Sequence, residues 1–275
     1  MLIGQAQSWG RNELVRAGIE SASIDASLIL GYVTNLTRTG LVAHDDETLS
    51  PKDADRYVAL IKKRQSGYPV AYILGYQEFF GLKLKVTEDT LIPRPDTETL
   101  VETALAKCSR GRVLDLGTGS GAVIIALKSQ NPSYDCYACD IQEKSLQVAR
   151  ENAQSLGLKV DFRVSNWFSA FAGMKFDLIV SNPPYIEEGD PHLNETSLPF
   201  EPQQALTSGK DGLDDIRRIV AAAPLFLKKG GLLLFEHGYN QGKAARQILG
   251  DHQFTSVSTI RDLAGQERVS GGCFN

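Results

Sequence analysis

The sequence predicts an α/β protein with a seven-stranded, mostly parallel sheet, preceded by a small helical domain. From about residue 112 onward, apolar strand-like segments alternate with helix-like segments, which is typical of a parallel sheet covered by helices on both faces. The last two strand-like segments have no helix between them, so we expect them to pair antiparallel at one edge of the sheet. The first 85 residues instead have apolar residues at helical spacing.

Residues 1–75 are predicted to form the helical N-terminal domain. Its helix-like stretches are AQSWGRNELVRAG, SIDASLILGYVTN and SPKDADRYVALIKKRQSG. The third begins with Ser50-Pro51, an N-cap residue followed by a proline at the first helical position. Residues 1–85 contain ten Lys and Arg residues and nine Asp and Glu residues. This balance argues against a strongly basic face on the domain.

Residues 76–95 are predicted to be a connector that contains a β-hairpin. In FFGLKLKV, apolar and polar residues alternate after a glycine, as they do in a strand of a hairpin. The third region, residues 96–275, is predicted to begin with a helix that runs to about Lys107. Either Asp96 or Thr97 can cap this helix.

Strands and helices then alternate through the third region. The predicted strands are RVLDLG, YDCYACD, KVDFRVS, FDLIVSN, GLLLFEH, FTSVSTIRD and ERVSGGCFN. The predicted helices are GAVIIALKSQ, IQEKSLQVARENAQSLG, LDDIRRIVAAAPLFLKKG and QGKAARQILG.

The composition is that of an ordinary globular protein, with 275 residues, 42% of them hydrophobic and 23% charged. The net charge of −4 argues against binding to bulk nucleic acid. No apolar run approaches the roughly 20 residues that span a bilayer, and the N-terminus does not have the pattern of a secretory signal. We therefore expect a cytoplasmic protein without a membrane partner.

Cys136 and Cys139 form a C-x-x-C pattern, which is found in redox pairs and in zinc sites. The pair lies in YDCYACD, which alternates like a strand, so the two side chains are expected to point to opposite faces of the sheet. No second cysteine pair or nearby histidine completes a metal site. Buried thiols, and no metal ion, are the expectation.

A glycine-rich loop follows the first strand of the sheet. Glycines allow the backbone to turn sharply and to approach a ligand closely, with the next helix N-terminus facing that ligand. The spacing G-x-G-x-G differs from the G-x-G-x-x-G of dinucleotide sites. It suits a loop around an amino-acid moiety, although a plain strand-to-helix turn is an alternative. The loop residues are Gly117, Thr118, Gly119, Ser120 and Gly121.

Asp140 ends the second strand of the sheet, about twenty residues beyond the loop. A carboxylate at this position can accept hydrogen bonds from two ribose hydroxyls. It can instead cap the helix that follows. With the glycine loop, it indicates a cofactor that contains adenosine.

The stretch SNPPYIEEG, residues 181–189, leaves the fourth strand through two prolines. Proline fixes φ and has no backbone donor, so this exit is stiff and cannot extend the sheet. Such stiffness can simply make a turn, or it can hold a side chain and a carbonyl in a fixed position.

DLGTGSG, Asp140 and the NPPY sequence together resemble the Rossmann-like methyltransferases that use S-adenosyl-L-methionine. Further stretches, and the helical N-terminal domain, resemble the bacterial release factor glutamine methyltransferases over nearly the whole chain. These stretches are LIPRPDTE (91–98), SNWFSA (165–170), FEPQQAL (200–206) and LLLFEHGYNQG (232–242). The resemblance implies methylation of the side-chain amide nitrogen (N5) of glutamine in the Gly-Gly-Gln motif of peptide chain release factors.

The resemblance also implies roles for individual residues. The cofactor residues are the loop from Gly117 to Gly121, Asp140, Asn166, Trp167 and Asn182. The substrate residues are Asn182, Pro183, Pro184 and Tyr185, of which Asn182, Pro183 and Tyr185 are the catalytic ones. The family commonly has an acid at the position of Asn166, where it accepts a hydrogen bond from the adenine amino group. Asn166 can accept this bond only through its uncharged amide oxygen. Trp167 can pack along the adenine ring, and a core tryptophan is the alternative.

The NPPY sequence suits methylation of an amide. The amide nitrogen is a poor nucleophile, so the enzyme has to align it and polarise it. The side-chain oxygen of Asn182 and the carbonyl of Pro183 can accept its two hydrogens, and Tyr185 can stack on the amide plane. Glu187, Glu188, Glu201 and His237 are expected to be surface or strand-end residues rather than bases.

The sequence leaves the roles of two further features open. Arg94 can bind the cofactor carboxylate, guide the substrate, or pair with Asp96 or Glu98. The polar segment 187–212 is long enough to be a binding loop, and we expect it to shape the substrate groove.

Two other functions are alternatives to glutamine methylation. A DNA or RNA adenine N6-methyltransferase shares the NPPY pattern, but the acidic net charge argues against it. A cofactor-binding module without activity would not need the acceptors of NPPY. The expected partners are therefore release factors, with no stable nucleic acid, and the expected state is a monomer.

Overall fold

The computed structural model describes residues 1–194 and 197–275. These residues form two compact units. The first consists of Met1–Tyr76 with Asn194–Phe200, and the second of Gln77–Leu193 with Glu201–Asn275. None of the helices in the described part of the chain is both long enough and apolar enough to cross a membrane.

The first unit is helical, as predicted. Ser50 caps its longest helix by accepting a hydrogen bond from the backbone N–H of Asp53 at 3.1 Å, and Pro51 occupies the first turn. This confirms the helix start read from Ser50-Pro51. The helices are α1 (Ile3–Arg16), α2 (Ala22–Thr34), α3 (Arg38–Ala43), α4 (Pro51–Gln65) and α5 (Val70–Leu74).

The predicted hairpin is present as β1 (Tyr76–Phe79) and β2 (Leu82–Lys85). Its two turn residues, Phe80 and Gly81, have φ angles of 50° and 73°. Positive φ at both central residues is the geometry of a type I′ turn, whose twist matches that of the paired strands.

The seven-stranded sheet confirms the predicted fold class, including its antiparallel edge. The strand order is β5-β4-β3-β6-β7-β9-β8. Pairing is parallel from β5 to β7, whereas β9 is antiparallel to both of its neighbours. The strands are β3 (Arg112–Leu116), β4 (Asp135–Asp140), β5 (Asp161–Val164), β6 (Phe176–Ser181), β7 (Leu227–Glu236), β8 (Phe254–Arg261) and β9 (Glu267–Phe274).

Helices cover both faces of this sheet, because alternate residues of its central strands enter two different hydrophobic clusters. One cluster packs against α6 (Glu98–Lys107), α7 (Ala122–Gln130) and α8 (Glu143–Ser155), and the other against α9 (Asp214–Ala222) and α10 (Gly242–Asp251). The C-x-x-C pattern follows the same rule. Cys136 lies in the first cluster and Cys139 in the second, both as free, buried thiols.

One predicted helix boundary differs from the structure. The helix expected over LDDIRRIVAAAPLFLKKG ends at Ala222, and β7 already begins at Leu227. Pro224 accounts for this, because proline cannot continue a helix. The bounds of α6 are as predicted, since Thr97 occupies its N-cap position and the helix ends at Lys107, but no side chain caps it: Thr97 accepts a hydrogen bond from Asn182, and Asp96 pairs with Arg268.

The strand order determines where a ligand can bind. From β3, the chain adds β4 and β5 on one side, and β6 and β7 lie on the other. The loops after β3 and β6 therefore diverge at the carboxyl edge of the sheet, where doubly wound folds bind their ligands. In the parallel register, Leu116 at the end of β3 lies beside Ser181 at the end of β6.

Candidate active site

A cavity of about 290 Å³ opens at this carboxyl edge of the sheet. Its volume is at the lower end of the range for small-molecule sites, roughly 300–1,000 Å³. A smaller adjoining space of about 50 Å³ shares four residues with it, Leu91, Gly117, Gly119 and Asn182, and is also lined by Thr118 and Ser120. Of the residues predicted for the site, the larger cavity is lined by Gly117, Gly119, Asp140, Asn166, Trp167, Asn182 and Pro184.

The glycine loop requires its glycines. Gly121 has a φ of +84°, and a Cβ atom there would lie 2.8 Å from Cδ1 of Ile125. Gly117 has a φ of +70°, and its Cβ would lie 3.4 Å from the Trp167 ring. The loop is held in place by the Thr118 hydroxyl, which donates to the buried carboxyl of Asp115 at 2.6 Å. The backbone thus remains bare on the side of the cavity, which suits a closely bound ligand.

Asp140 lines the cavity and also anchors the loop. Its carboxylate accepts hydrogen bonds from the backbone N–H groups of Gly119 and Gln142, each at 2.9 Å. Burial raises the pKa of this carboxyl above its ordinary value, and the hydrogen bonds from the two N–H donors offset only part of that rise. Because a carboxylate has about four acceptor positions, these two bonds leave others for a ligand. The alternative that Asp140 caps the following helix is wrong, because Gln142 is the N-cap residue of α8 and Asp140 is still the last residue of β4. Its role as a ligand acceptor stays a prediction, which this geometry permits.

Trp167 has a φ of +49°, which is unusual for a bulky residue. Its carbonyl accepts hydrogen bonds from the Ser165 hydroxyl at 2.7 Å and from the Cys139 thiol at 3.3 Å, and these stabilise the strained backbone. The ring packs against the core and also lines the cavity beside Gly117. Strained residues of this kind cluster at functional sites. The exposed side chain of Asn166 lines the same cavity.

Asn182 has a defined orientation. Its Nδ2 donates to the Thr97 hydroxyl oxygen at 3.2 Å, and therefore its Oδ1 is kept as an acceptor. The next residue, Pro183, is buried, and Pro184 lines the cavity.

Tyr185 is fixed at both ends. Its hydroxyl donates to Oε1 of Glu236 at 3.0 Å, and its carbonyl accepts from Nε2 of Gln241 at 2.9 Å. Among the described residues, Gly121, Pro183 and Tyr185 are the predicted site residues that line neither cavity.

Arg94 pairs with Glu201 rather than with Asp96 or Glu98. The other carboxylate oxygen of Glu201 accepts from the backbone N–H of Ile92 at 3.0 Å. The expectation that Glu201 is a surface or strand-end residue is therefore wrong: its side chain is fully buried. Glu201 can be buried because Arg94, more than one hundred residues away in the chain, pairs with its carboxylate and neutralises its charge inside the protein.

The other three residues follow the expectation. Glu187 and Glu188 are exposed surface residues. His237 directly follows β7 and is a buried strand-end residue hydrogen-bonded to Ser270. Residues 195 and 196 of the segment 187–212 lie outside the described residues. Pro202, Gln204 and Ala205 of the segment line the larger cavity.

Sequence reasoning missed two buried carboxyls at this edge of the sheet, Asp115 and Glu236. Burial raises the pKa of each to about 7. Asp115 was visible as the acid of DLGTGSG, and Glu236 as the acid that follows GLLLF. Their burial depends on neighbouring strands, so local sequence does not reveal it.

Asp115 is expected to make the stability of the protein depend on pH. Its pKa is raised from 3.8, so the folded protein keeps a proton that the unfolded chain releases. The free energy of unfolding should therefore fall as pH rises from about 4 to 7, by roughly 4 kcal/mol for a shift of this size. Urea unfolding at pH 5 and pH 8 should show a smaller pH difference for Asp115→Asn than for the wild type. The exposed Asp251→Asn is the control, and an unchanged pH difference in Asp115→Asn would contradict the assignment.

Comparison with known proteins places the chain in one family. Residues 5–75 match the PrmC N-terminal domain, and residues 95–209 match the methyltransferase small domain. A methyltransferase structure from Pyrococcus furiosus has the same fold, with a TM-score of 0.55 at 17% identity over 78% of this chain and 98% of that one.

Two relatives match at much higher identity. The release factor glutamine methyltransferase of Vibrio cholerae is 46% identical over 264 residues, covering 94% of this chain and 92% of the relative. That of Pseudomonas aeruginosa is 48% identical over 255 residues, covering 92% of each chain. Identity of this extent, over both the helical domain and the sheet domain, shows that the chain belongs to the release factor glutamine methyltransferase family.

Proposed function

We propose that this chain transfers a methyl group from S-adenosyl-L-methionine to N5 of the glutamine in the Gly-Gly-Gln motif of peptide chain release factors. One observation carries the proposal beyond family membership. Asn182 lines the cavity that the glycine loop forms, and its side-chain nitrogen is bonded to Thr97, which leaves its side-chain oxygen free to act as an acceptor. This is the arrangement that a planar amide substrate requires next to a methyl donor.

The groups that line the cavity match the chemical groups of S-adenosyl-L-methionine. The bare backbone of the loop would face the methionine portion, and Asp140 would accept hydrogen bonds from the ribose hydroxyls. Trp167 and Asn166 would contact the adenine ring and its amino group. When bound, S-adenosyl-L-methionine supplies an electrophilic methyl group on a sulfonium.

The NPPY residues have the task of making the amide nitrogen reactive. Oδ1 of Asn182 and the carbonyl of Pro183 accept the two hydrogens of the glutamine NH2 group. The two bonds orient the nitrogen towards the methyl group and stabilise the positive charge that develops on it. The prolines keep the carbonyl from rotating, because their φ is fixed. Tyr185 lines neither cavity, but Glu236 and Gln241 hold it rigidly next to the NPPY prolines, and its ring would stack on the amide plane once the glutamine is bound.

Further parts of the proposal concern partners and location. We propose that residues 1–75 dock the release factor, that residues 76–95 connect this domain to residues 96–275, and that the enzyme acts as a monomer. The balanced charge of the helical domain fits a protein partner better than a nucleic acid. Release factors act on ribosomes, so the cytoplasm is the compartment that this substrate implies.

The decisive measurement is the mass of the release factor peptide that contains Gly-Gly-Gln. Incubation with the enzyme and labelled S-adenosyl-L-methionine should add one methyl group, and fragmentation should place it on the glutamine. A release factor with asparagine in place of that glutamine is the matched control and should remain unlabelled. Label on duplex DNA or tRNA, with none on the release factor, would overturn the proposal in favour of an adenine N6-methyltransferase.

A further inference from the structure

Two glutamines that the transfer reaction does not use are bonded to each other at the larger cavity. Nε2 of Gln142 donates a hydrogen bond to Oε1 of Gln204 at 3.0 Å. Both residues line the cavity. Within the described residues, neither side chain has another hydrogen-bond partner. The two glutamines are therefore paired only with each other.

The strand order shows what this hydrogen bond spans. Gln142 directly precedes α8 in the loop after β4, whereas Gln204 lies in the long segment between β6 and α9. In the sheet, β4 and β6 are the two neighbours of β3, which leads into the glycine loop. A bond between the segments after β4 and β6 therefore bridges the loop after β3. Gly117 and Gly119 of that loop line the same cavity, so the glutamine pair and the bare backbone border one space.

Gln204 belongs to a short segment, residues 202–205, which we call the strap. It contains one turn of 3-10 helix, Gln203–Ala205. Pro202, Gln204 and Ala205 all line the cavity, so the strap forms part of its wall. Among the described residues, the bond from Gln142 is the one side-chain hydrogen bond that ties the strap to the segment after β4.

Both ends of the strap are fixed. Immediately before it, the buried carboxylate of Glu201 pairs with Arg94 and accepts a hydrogen bond from the backbone N–H of Ile92 at 3.0 Å. Immediately after it, the carbonyl of Leu206 accepts from the backbone N–H of Ile186 at 2.9 Å. These contacts hold the strap in place when its bond across the cavity is broken.

The bond between the glutamines is the weakest of these contacts. Both side chains are uncharged and Gln204 is exposed, so water can replace either partner at little cost. Breaking the pair of Glu201 with Arg94 would instead leave a charge inside the protein, which is far more costly. The strap is therefore able to open where it is bonded to Gln142 and stays attached at its ends.

We propose that Gln142 and Gln204 form a latch that closes the strap over the cofactor cavity, and that this bond opens when S-adenosyl-L-methionine enters and when S-adenosyl-L-homocysteine leaves. The inference concerns exchange of the cofactor, and it rests on the proposed function for the product that leaves. Segments that close over a bound ligand exclude water from the reaction, and their opening limits product release in many enzymes.

The test measures binding of S-adenosyl-L-methionine without a release factor, by stopped-flow fluorescence of Trp167, which lines the cavity. Observed rates at increasing cofactor concentrations give the association and dissociation rate constants. In Gln142→Ala and in Gln204→Ala, both constants should rise by about 2- to 10-fold, the effect of losing one neutral hydrogen bond. The equilibrium dissociation constant should change by less than about twofold, because the latch joins two protein side chains with or without the cofactor. The double variant should be no faster than the faster single one.

A direct contact with the cofactor predicts a different pattern. If the glutamines only bound the cofactor, their removal would raise the dissociation rate constant, leave the association rate constant unchanged and weaken affinity by the same factor. That pattern would overturn the latch, and so would wild-type rate constants in both single variants.

Gln203→Ala is the matched control, since Gln203 is an exposed glutamine of the same strap that lines neither cavity. Its rate constants should equal those of the wild type. A rescue variant combines Gln142→Lys with Gln204→Glu, which again sets a donor against an acceptor in the same direction. Its rate constants should be equal to or below those of the wild type, and fast exchange in this variant would contradict the latch.

Failure of the latch can be distinguished from failure of the proposed function. Exchange that becomes faster in both alanine variants, with a release factor that stays unmethylated, would support the latch and overturn the proposed function. Methylation of the release factor, with exchange rates that neither substitution changes, would overturn the latch alone.

Discussion

Asn182→Ala should lower kcat for methylation of the release factor by about 100- to 1,000-fold, the cost of removing one preorganised group that stabilises developing charge. The substitution removes the Oδ1 acceptor, so the glutamine nitrogen loses one of the two bonds that align it. It also removes the partner of the Thr97 hydroxyl. Cofactor binding should largely survive, because Asp140 and the glycine loop remain in place.

The measurement combines single-turnover methyl transfer with calorimetric titration of S-adenosyl-L-methionine. Gln247→Ala is the matched control, since Gln247 is an exposed side-chain amide on α10, outside both cavity linings. Unchanged methyl transfer in Asn182→Ala would show that the amide is gripped by other groups. An equal loss of cofactor affinity and of kcat would show that Asn182 serves the cofactor alone.

Asp140→Ala should raise the dissociation constant of S-adenosyl-L-methionine by about 10- to 100-fold. Hydrogen bonds to a charged acceptor contribute about 1.5–3 kcal/mol, and a factor of ten in affinity corresponds to about 1.4 kcal/mol. The variant also removes the acceptor of the Gly119 and Gln142 N–H groups, so the glycine loop loses an anchor.

Asp140→Asn separates these two effects. Its amide oxygen can still accept from Gly119, but the negative charge that favours the ribose hydroxyls is gone. We expect an intermediate dissociation constant by calorimetry. Asp161→Asn is the control, because Asp161 is an exposed acid on β5 that pairs with Arg163. A dissociation constant in Asp140→Ala equal to that of the wild type would contradict the ribose assignment.

The sequence revealed those features that depend on neighbouring residues in the chain. Alternation of apolar segments predicted the seven strands and the antiparallel edge, and Ser50-Pro51 predicted a helix start. Glycines and prolines impose backbone geometry locally, so the sequence alone predicted the loop at Gly117 and the rigid segment at Pro183 that follows the fourth strand of the sheet. Pro224 marks a helix end by the same local rule, but the predicted helix extended beyond it, whereas α9 ends at Ala222.

Tertiary structure alone decided which distant residues meet. Asn182 bonds to Thr97, Tyr185 to Glu236, and Arg94 to Glu201. Each pair joins residues more than fifty positions apart, brought together by strand order and register rather than by local pattern. The burial of a carboxyl depends on such contacts, because water is excluded only when several elements pack around it. The chain sequence therefore determined the fold and the chemistry that the site can perform, and the packing of the sheet determined which acids became buried and which groups they orient.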